Sequence, residues 1–399
     1  MNFQTIKTNL QWLKDRTIFL TKHGSHAYGT SIPTSDEDFR GITIPPIQYF
    51  MGYLEQFEHV EFYRQQHGVD MVIYDIRKFF KLAADCNPNI IEILYTDPSD
   101  HLLITGVGEK LLTYRDQFLS RKAKYTFSGY AVSQLKKIER HYQWLRHPPK
   151  AAPTREEFGL PQHTVIPADQ LIAVQEMIRK QIEHWNVPVD ELDSAAKIAV
   201  QERFVETLAF IETGYRAQVV AALQTKVEEF NTKPEHKGLI HALSVVKEIG
   251  GIDLEQIAGT LLGFSDDFLE LLDRERTYKS RQEEWRSYQV WINNRNPVRF
   301  ELERKYGYDT KHGMHLVRLI RMGREILEGK GVLVRRPDAQ ELLAIRGGAW
   351  TYEYLCEWAQ KSLNELEYID RTSILPSTPN RIQLDKLCTD LVQELIPLK

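Results

Sequence analysis

Short apolar runs alternate with helical periodicity over the first hundred residues. Thr17-Ile18-Phe19-Leu20 predicts a short buried strand, Phe39 to Ile44 a second, and Val69-Asp70-Met71-Val72-Ile73-Tyr74 a third. Directly afterwards Ile76, Phe79, Phe80 and Ala83 fall at helical spacing and predict a helix over Ile76–Ala84. From about Asp116 the strand signals thin out. Apolar residues then recur three and four apart, as in Phe204, Leu208 and Ile211, with Val219, Val220 and Leu223 beyond them. Pro148, Pro149 and Pro153 forbid a continuous helix over 147–154, which marks a loop or boundary. A second break lies at Asn293-Asn294-Arg295-Asn296-Pro297, where the proline suits the first turn of a following helix. The pattern therefore predicts an α/β core over 1–115, a small mixed sheet with flanking helices. A mainly helical region over 116–292 and a helical C-terminal region over 293–399, closing a cleft, are expected to follow.

Composition narrows the class without naming it. With 51 Lys and Arg against 55 Asp and Glu in 399 residues, the net charge of -4 excludes a uniformly basic nucleic-acid binder. Three cysteines, Cys86, Cys356 and Cys388, are too few and too scattered for a disulfide framework or a cysteine-based zinc site. No stretch approaches the roughly 18 apolar residues of a membrane span, and the N-terminus lacks a signal-peptide core. A cytoplasmic location and no membrane partner are the expectation.

The informative segment runs from Thr21 to Gly41. Two acids separated by one residue mean little alone, since roughly seven or eight such triplets arise by chance in a chain this acidic. Context decides. Gly24-Ser25 follows a buried strand and opens a helix-like stretch, where backbone N–H groups and a hydroxyl can hold phosphate. Asp36 and Asp38 sit at alternate positions entering the next strand, so both side chains share a face and repel unless a divalent cation neutralises them. Asp70 stands in the third strand amid Val69, Met71, Val72 and Ile73, where an acid is costly to bury unless paired or metal-bound. Three carboxylates beside a Gly-Ser cradle predict a two-metal phosphoryl-transfer site. The bland alternative makes Asp36 a turn cap and leaves Glu37 and Asp38 solvated.

On these residues the chain resembles the DNA polymerase β superfamily of nucleotidyltransferases. Gly24-Ser25 is similar to its strand-to-helix motif, Asp36-Glu37-Asp38 to its acidic pair, and Asp70 to its third carboxylate. Glu37 departs from the usual hydrophobic residue between the aspartates. Val69 to Ile76, Arg77-Lys78-Phe79, Asn87-Pro88-Asn89 with Glu92, and Tyr306 to His315 resemble a subfamily of predicted nucleotidyltransferases of bacterial and phage RNA repair, often encoded beside RNA ligases. The resemblance implies Mg²⁺, with Mn²⁺ as the alternative ion, an NTP substrate such as ATP, and an RNA acceptor, tRNA or damaged RNA, with an RNA ligase or other repair enzyme as partner. Asp36 and Asp38 would bind both ions, Asp70 would complete the one that activates the attacking hydroxyl, and Gly24 and Ser25 would hold the distal phosphates. Arg40 and Lys78 are further candidate phosphate ligands.

Two more features bear on binding. Lys311, His315, Arg318 and Met322 follow one another by four, three and four and share a helix face, beside an apolar stripe of Leu316, Ile320, Gly323 and Leu327. Asp309 or Thr310 would cap that helix. A cation in its first turn opposes the helix dipole by about 0.3–1 kcal/mol, a cost offset when the helix end faces an anion. Lys311, with His315 or Arg318, is therefore expected to meet the triphosphate or the RNA backbone. Residues 121–150 carry eight Lys or Arg against one Glu, interleaved with Tyr125, Phe127, Tyr130, Tyr142 and Trp144. Lys122, Lys124, Tyr125, Lys136, Lys137 and Arg140 are the expected RNA contacts from this stretch. Its alternative is a core of aromatics under solvated lysines. Residues 299–346 add eleven cations against seven acids, including Arg335 and Arg336. The competing functions are nucleotidylation of a protein or small molecule, and a non-catalytic RNA-binding scaffold.

Overall fold

A computed structural model of the chain describes residues 3, 8–64, 69–185, 255, 259, 262–295 and 297–396. The helical periodicity around Phe204 to Leu223 lies outside the described residues. Two compact units form: one from Met1–Pro148 with Arg295–Lys399, the other from Pro149–Asn294. Both proline-rich or asparagine-rich breaks coincide with unit boundaries, whereas residue 116 does not. The chain past that point stays with the sheet because its helix supplies part of the sheet's cover.

In the first unit β1 (Thr17–His23), β2 (Glu37–Thr43), β3 (His59–Arg64), β4 (Val69–Asp75) and β5 (His101–Ile104) form one sheet in the order β3-β4-β2-β1-β5. β2 and β4 are parallel and the other pairs antiparallel, so the sheet is mixed. Pattern reading missed β3 and β5, both edge strands: β3 alternates charged residues with Val60, Phe62 and Tyr63, and β5 is only four residues long. Alternation sorts the strands by face. Phe39, Met71, Ile73 and Leu20 pack with Leu13 and Phe57 on one side, while Ile42, Phe19 and Ile44 join the larger core beneath the helices.

Those helices include α1 (Gly24–Tyr28), α2 (Ile76–Ala84), α3 (Lys122–Arg146), α4 (Pro297–Tyr306), α5 (Thr310–Leu327), α6 (Ala339–Arg346), α7 (Tyr352–Thr372) and α8 (Arg381–Leu395). The Asp75 side chain caps α2 by accepting from Arg77 N. α3 ends at the Pro148-Pro149 break and α4 begins at Pro297, as the prolines dictate. α5 packs its apolar stripe of Leu316, Ile320, Gly323 and Leu327 inward. A Cβ on Gly323 would come 3.0 Å from Cβ of the buried Phe127, so the glycine sets how closely α3 and α5 approach. In the second unit the helix Asp266–Asn293 starts at a Ser265 cap and holds the wholly buried Glu275, which Arg155 pairs through Nη1 at 3.0 Å. Among the described residues no helix is long and apolar enough to cross a membrane.

One polar cluster crosses the core of the first unit. Glu92, wholly buried, accepts from Arg318 Nη1 at 2.6 Å and from the Tyr28 hydroxyl, and the Arg318 guanidinium lies 3.8 Å from the centroid of the Tyr28 ring. Removing one partner of a buried ion pair strands the other charge, so Arg318→Met should lower the unfolding free energy by about 3–5 kcal/mol. Glu92→Gln/Arg318→Met should recover at least half of that loss in a urea titration. A fully additive pair of single-mutant losses would contradict the assignment.

Candidate active site

The antiparallel pairing of β1 and β2 sets His23 opposite Asp38, and the parallel pairing of β2 and β4 sets Asp38 beside Asp70. The chain leaves β1 at Gly24 with φ +61°, a backbone conformation that favours glycine. A Cβ there would overlap the Asp38 carboxylate. The glycine thus lets the start of α1 lie directly against that carboxylate, with Ser25 beside it. Asp36, just before β2, and Asp38 both face a cleft of about 430 Å³ together with His23, Gly24, Ser25 and Arg40. Glu37, between them, does not line it.

The opposite wall comes from the C-terminal helices. Asp309 caps α5 by accepting from His312 N at 3.1 Å and also pairs His312 Nδ1 at 2.7 Å. Lys311 and His315 follow in the first turns of α5 and reach the cleft. The Thr310 hydroxyl donates to the Arg346 carbonyl at 2.7 Å, which ties the end of α6 to the start of α5 and brings Arg346 to the same wall. Arg299, in the first turn of α4, completes it. Periodicity within a single helix had no means of finding Arg299 and Arg346, because they join Lys311 only through tertiary packing.

Electrostatics on the two walls are complementary. Burial pushes the Asp38 carboxyl above its ordinary range, and Asp70 and Asp36 push the same way against the pull of Arg40 and Lys311. Burial depresses Lys311, and Arg299 and Arg346 add to the depression while Asp309 and Asp36 oppose it. Such crowding of cations disfavours their charged forms unless an anion lies among them. Burial, reinforced by Arg318, Lys311 and His312, drives His315 well below the usual histidine range, so it is neutral at pH 7. His23 is lowered to about 4, because burial outweighs the attraction of Glu92, whose carboxylate lies 3.6 Å away.

Several expected ligands are placed differently. Asp70 is not sealed among its apolar neighbours: its side chain is partly exposed and accepts from Arg40 Nη2 at 3.0 Å, outside the cleft lining. Arg40 is the reason, since its guanidinium balances the strand-paired aspartates. Among the described residues no three His, Cys, Asp or Glu side chains converge as metal donors, so the cleft assembles two of the three carboxylates. Lys78 pairs with Glu58 at 2.7 Å away from the cleft, and Arg318 is consumed by the buried pair with Glu92. The basic stretch forms one helix, α3, whose start faces other elements: Lys122 pairs with Asp85 at 2.7 Å, and Lys124, nearly buried, with Glu367 at 2.6 Å. Phe127, Tyr142 and Trp144 are buried, while Tyr125 is exposed away from the cleft. Lys136, Lys137 and Arg140 are exposed, and of these Lys137 reaches the cleft. Half-exposed Arg335 pairs with Asp100, and buried Arg336 with Glu325 and Asp338, so each of the two already faces an acid.

Two stability predictions follow from this geometry. Gly24→Ala should cost about 1–2 kcal/mol for the left-handed backbone alone and more through the overlap with Asp38. Asp38→Ala in that background should return the overlap part, as a double-mutant cycle by chemical denaturation would read. His23 has a folded pKa below its unfolded value, so its contribution is fully present above pH 6.5 and fades as pH falls toward 4. That is about 3 kcal/mol of acid sensitivity, and His23→Gln should flatten the stability profile across this window.

Residues 1–146 match the family model described as RlaP, RNA repair pathway DNA polymerase beta family. An uncharacterized 38.9 kDa protein of Enterobacteria phage T4, from the nrdC-mobD intergenic region, is 30% identical over 133 residues. That alignment covers 31% of this chain and 38% of the phage protein, well under half of either. No solved structure matches the chain. The sheet, the Gly24-Ser25 turn and the paired aspartates all lie inside the matched segment, and it is over residues 1–146 that the chain is similar to the RNA repair pathway DNA polymerase beta family.

Proposed function

We propose that this protein is a metal-dependent nucleotidyltransferase that moves a nucleoside monophosphate from an NTP to a hydroxyl, at the 3′ end of a damaged or processed RNA such as tRNA. One observation carries the reading: Asp36 and Asp38, against the Gly24-Ser25 turn, share a cleft with the cations Lys311, Arg299 and Arg346. The family match supports a nucleotidyltransferase-like role in RNA repair.

The donor set fits a hard divalent ion. Asp36 and Asp38 offer carboxylate oxygens on one face, and burial raises Asp38 in a way that a bound cation would reverse. These two residues would hold Mg²⁺ or Mn²⁺, which when bound lowers the pKa of the attacking hydroxyl and shields the phosphates. Asp70 would join them only by exchanging its bond to Arg40 for the ion. The start of α1 at Gly24 and Ser25 would receive the distal phosphates. Lys311, Arg299 and Arg346 would neutralise the charge that accumulates on the departing pyrophosphate, an electrostatic contribution strengthened by their partial burial. Neutral His315 stands beside Lys311 as a hydrogen-bonding group and not as a third charge. On the acceptor side, the exposed Lys136, Lys137 and Arg140 of α3 offer phosphate contacts to RNA, and an RNA ligase or another repair enzyme would act on the product.

Label transfer from each of four α-labelled NTPs, with Mg²⁺, to total tRNA and to the protein itself tests this reading. Label should appear on RNA, and Asp36→Asn/Asp38→Asn should reduce it roughly a thousandfold, the several kcal/mol that a lost metal site removes. Lys78→Ala should stay within about twofold of wild type, as a surface ion pair predicts. Label confined to protein would replace the RNA acceptor, and no transfer despite NTP binding would sink the catalytic reading.

A further inference from the structure

The cleft has one more wall, from α3. Tyr130, Gln134 and Lys137, spaced four and three apart on one face of that helix, all line it, as do Asn89 and Leu319. Gln134 is only 6% exposed, and its carboxamide, which bonds to no described residue, is not one of the sealed unpartnered groups of the core but opens on the cleft. A largely buried side chain that keeps its amide open to a cleft is placed to bond a polar group that arrives from outside. Its surroundings specify what kind. Tyr130 shows a half-exposed ring one turn before it, Leu319 is a wholly buried apolar contact, and Asn89 supplies a second carboxamide beyond the Asn87 cap. A flat heteroaromatic ring with adjacent donor and acceptor atoms matches this set: the ring stacks on tyrosine and a carboxamide pairs with its edge in two bonds.

We infer that Gln134, Tyr130 and Asn89 form a nucleobase subsite, in which Gln134 reads the base edge, Tyr130 stacks on its face, and Lys137 meets the adjoining phosphate. The inference rests on the nucleotidyltransferase reading and adds the residues that choose among bases. The base belongs either to the bound NTP or to the terminal nucleotide of the acceptor.

Calorimetry on the full chain separates these cases. The probes are the four NTPs with Ca²⁺, inorganic tripolyphosphate as a base-free control, and four short RNAs differing only in the 3′ base. Wild type should rank at least one of the two sets with about tenfold between best and worst. Gln134→Leu should compress that ranking to about twofold, and Tyr130→Leu should weaken every member of the same set by about tenfold. Neither variant should change tripolyphosphate binding. Collapse among the NTPs assigns the base to the donor, and collapse among the RNAs assigns it to the acceptor. A ranking unchanged in folded Gln134→Leu, or none in wild type, overturns the subsite while tripolyphosphate binding leaves the transferase reading standing. If wild type binds neither NTPs nor tripolyphosphate, both fall. Should Gln134→Leu not fold, Tyr130→Leu decides, and unaltered binding of both sets overturns the subsite.

Discussion

The buried contact between Arg318 and Glu92 is the constraint on which the rest of the first unit depends. Two charges taken from water are costly, and their attraction repays that cost only with good geometry and further hydrogen bonds. Glu92 has both, with Arg318 on one oxygen and the Tyr28 hydroxyl on the other, while the guanidinium stacks on the Tyr28 ring. Three separate pieces of chain are thereby held in one register: α1 through Tyr28, the turn at Glu92, and α5 through Arg318. Arg318 and Lys311 lie seven residues apart on one helix, about 10 Å along its axis. Fixing Arg318 in the core therefore sets how far Lys311 and His315 project toward the aspartates.

A second constraint is steric. Asp38 occupies the space that a side chain at residue 24 would need, so the turn that is to hold phosphate and the carboxylate that is to hold metal are pressed together. Charge is then distributed around this contact. Arg40 answers Asp70 and tempers Asp38, and the cations of α4, α5 and α6 stand across the cleft from Asp36. Each side carries the charge that destabilises it alone and that a metal–nucleotide complex would balance.

Much of this was legible in the chain because it depends on local order. Strand alternation gave Asp36 and Asp38 a shared face, glycine placement marked the turn after β1, and the spacing of Lys311, His315 and Arg318 gave one face of α5. Charge was less legible than position. Lys122 and Lys124 each meet an acid far away in sequence, Arg336 pairs with Glu325 and with its near neighbour Asp338, Lys78 pairs with Glu58, and Asp70 pairs with Arg40. Composition counts charges without saying which are already paired. Gln134 is the opposite case: an unremarkable polar residue in a basic helix becomes informative only when its burial and its place in the cleft wall are known.

Among the described residues every carboxylate that lines the cleft lies before residue 39, and the cations of its opposite wall lie after residue 298, with the whole of the second unit between them in sequence. The segment that matches the RNA repair family ends at residue 146, so it contains the aspartates, the turn and α3, but not Arg299, Lys311 or Arg346. A fragment limited to that segment would keep Glu92 in the core without Arg318 and expose the face of α3 that α5 covers. The family segment is thus half of a site whose other half arrives some 150 residues later in the chain, and the same buried ion pair that orders the cleft joins the two.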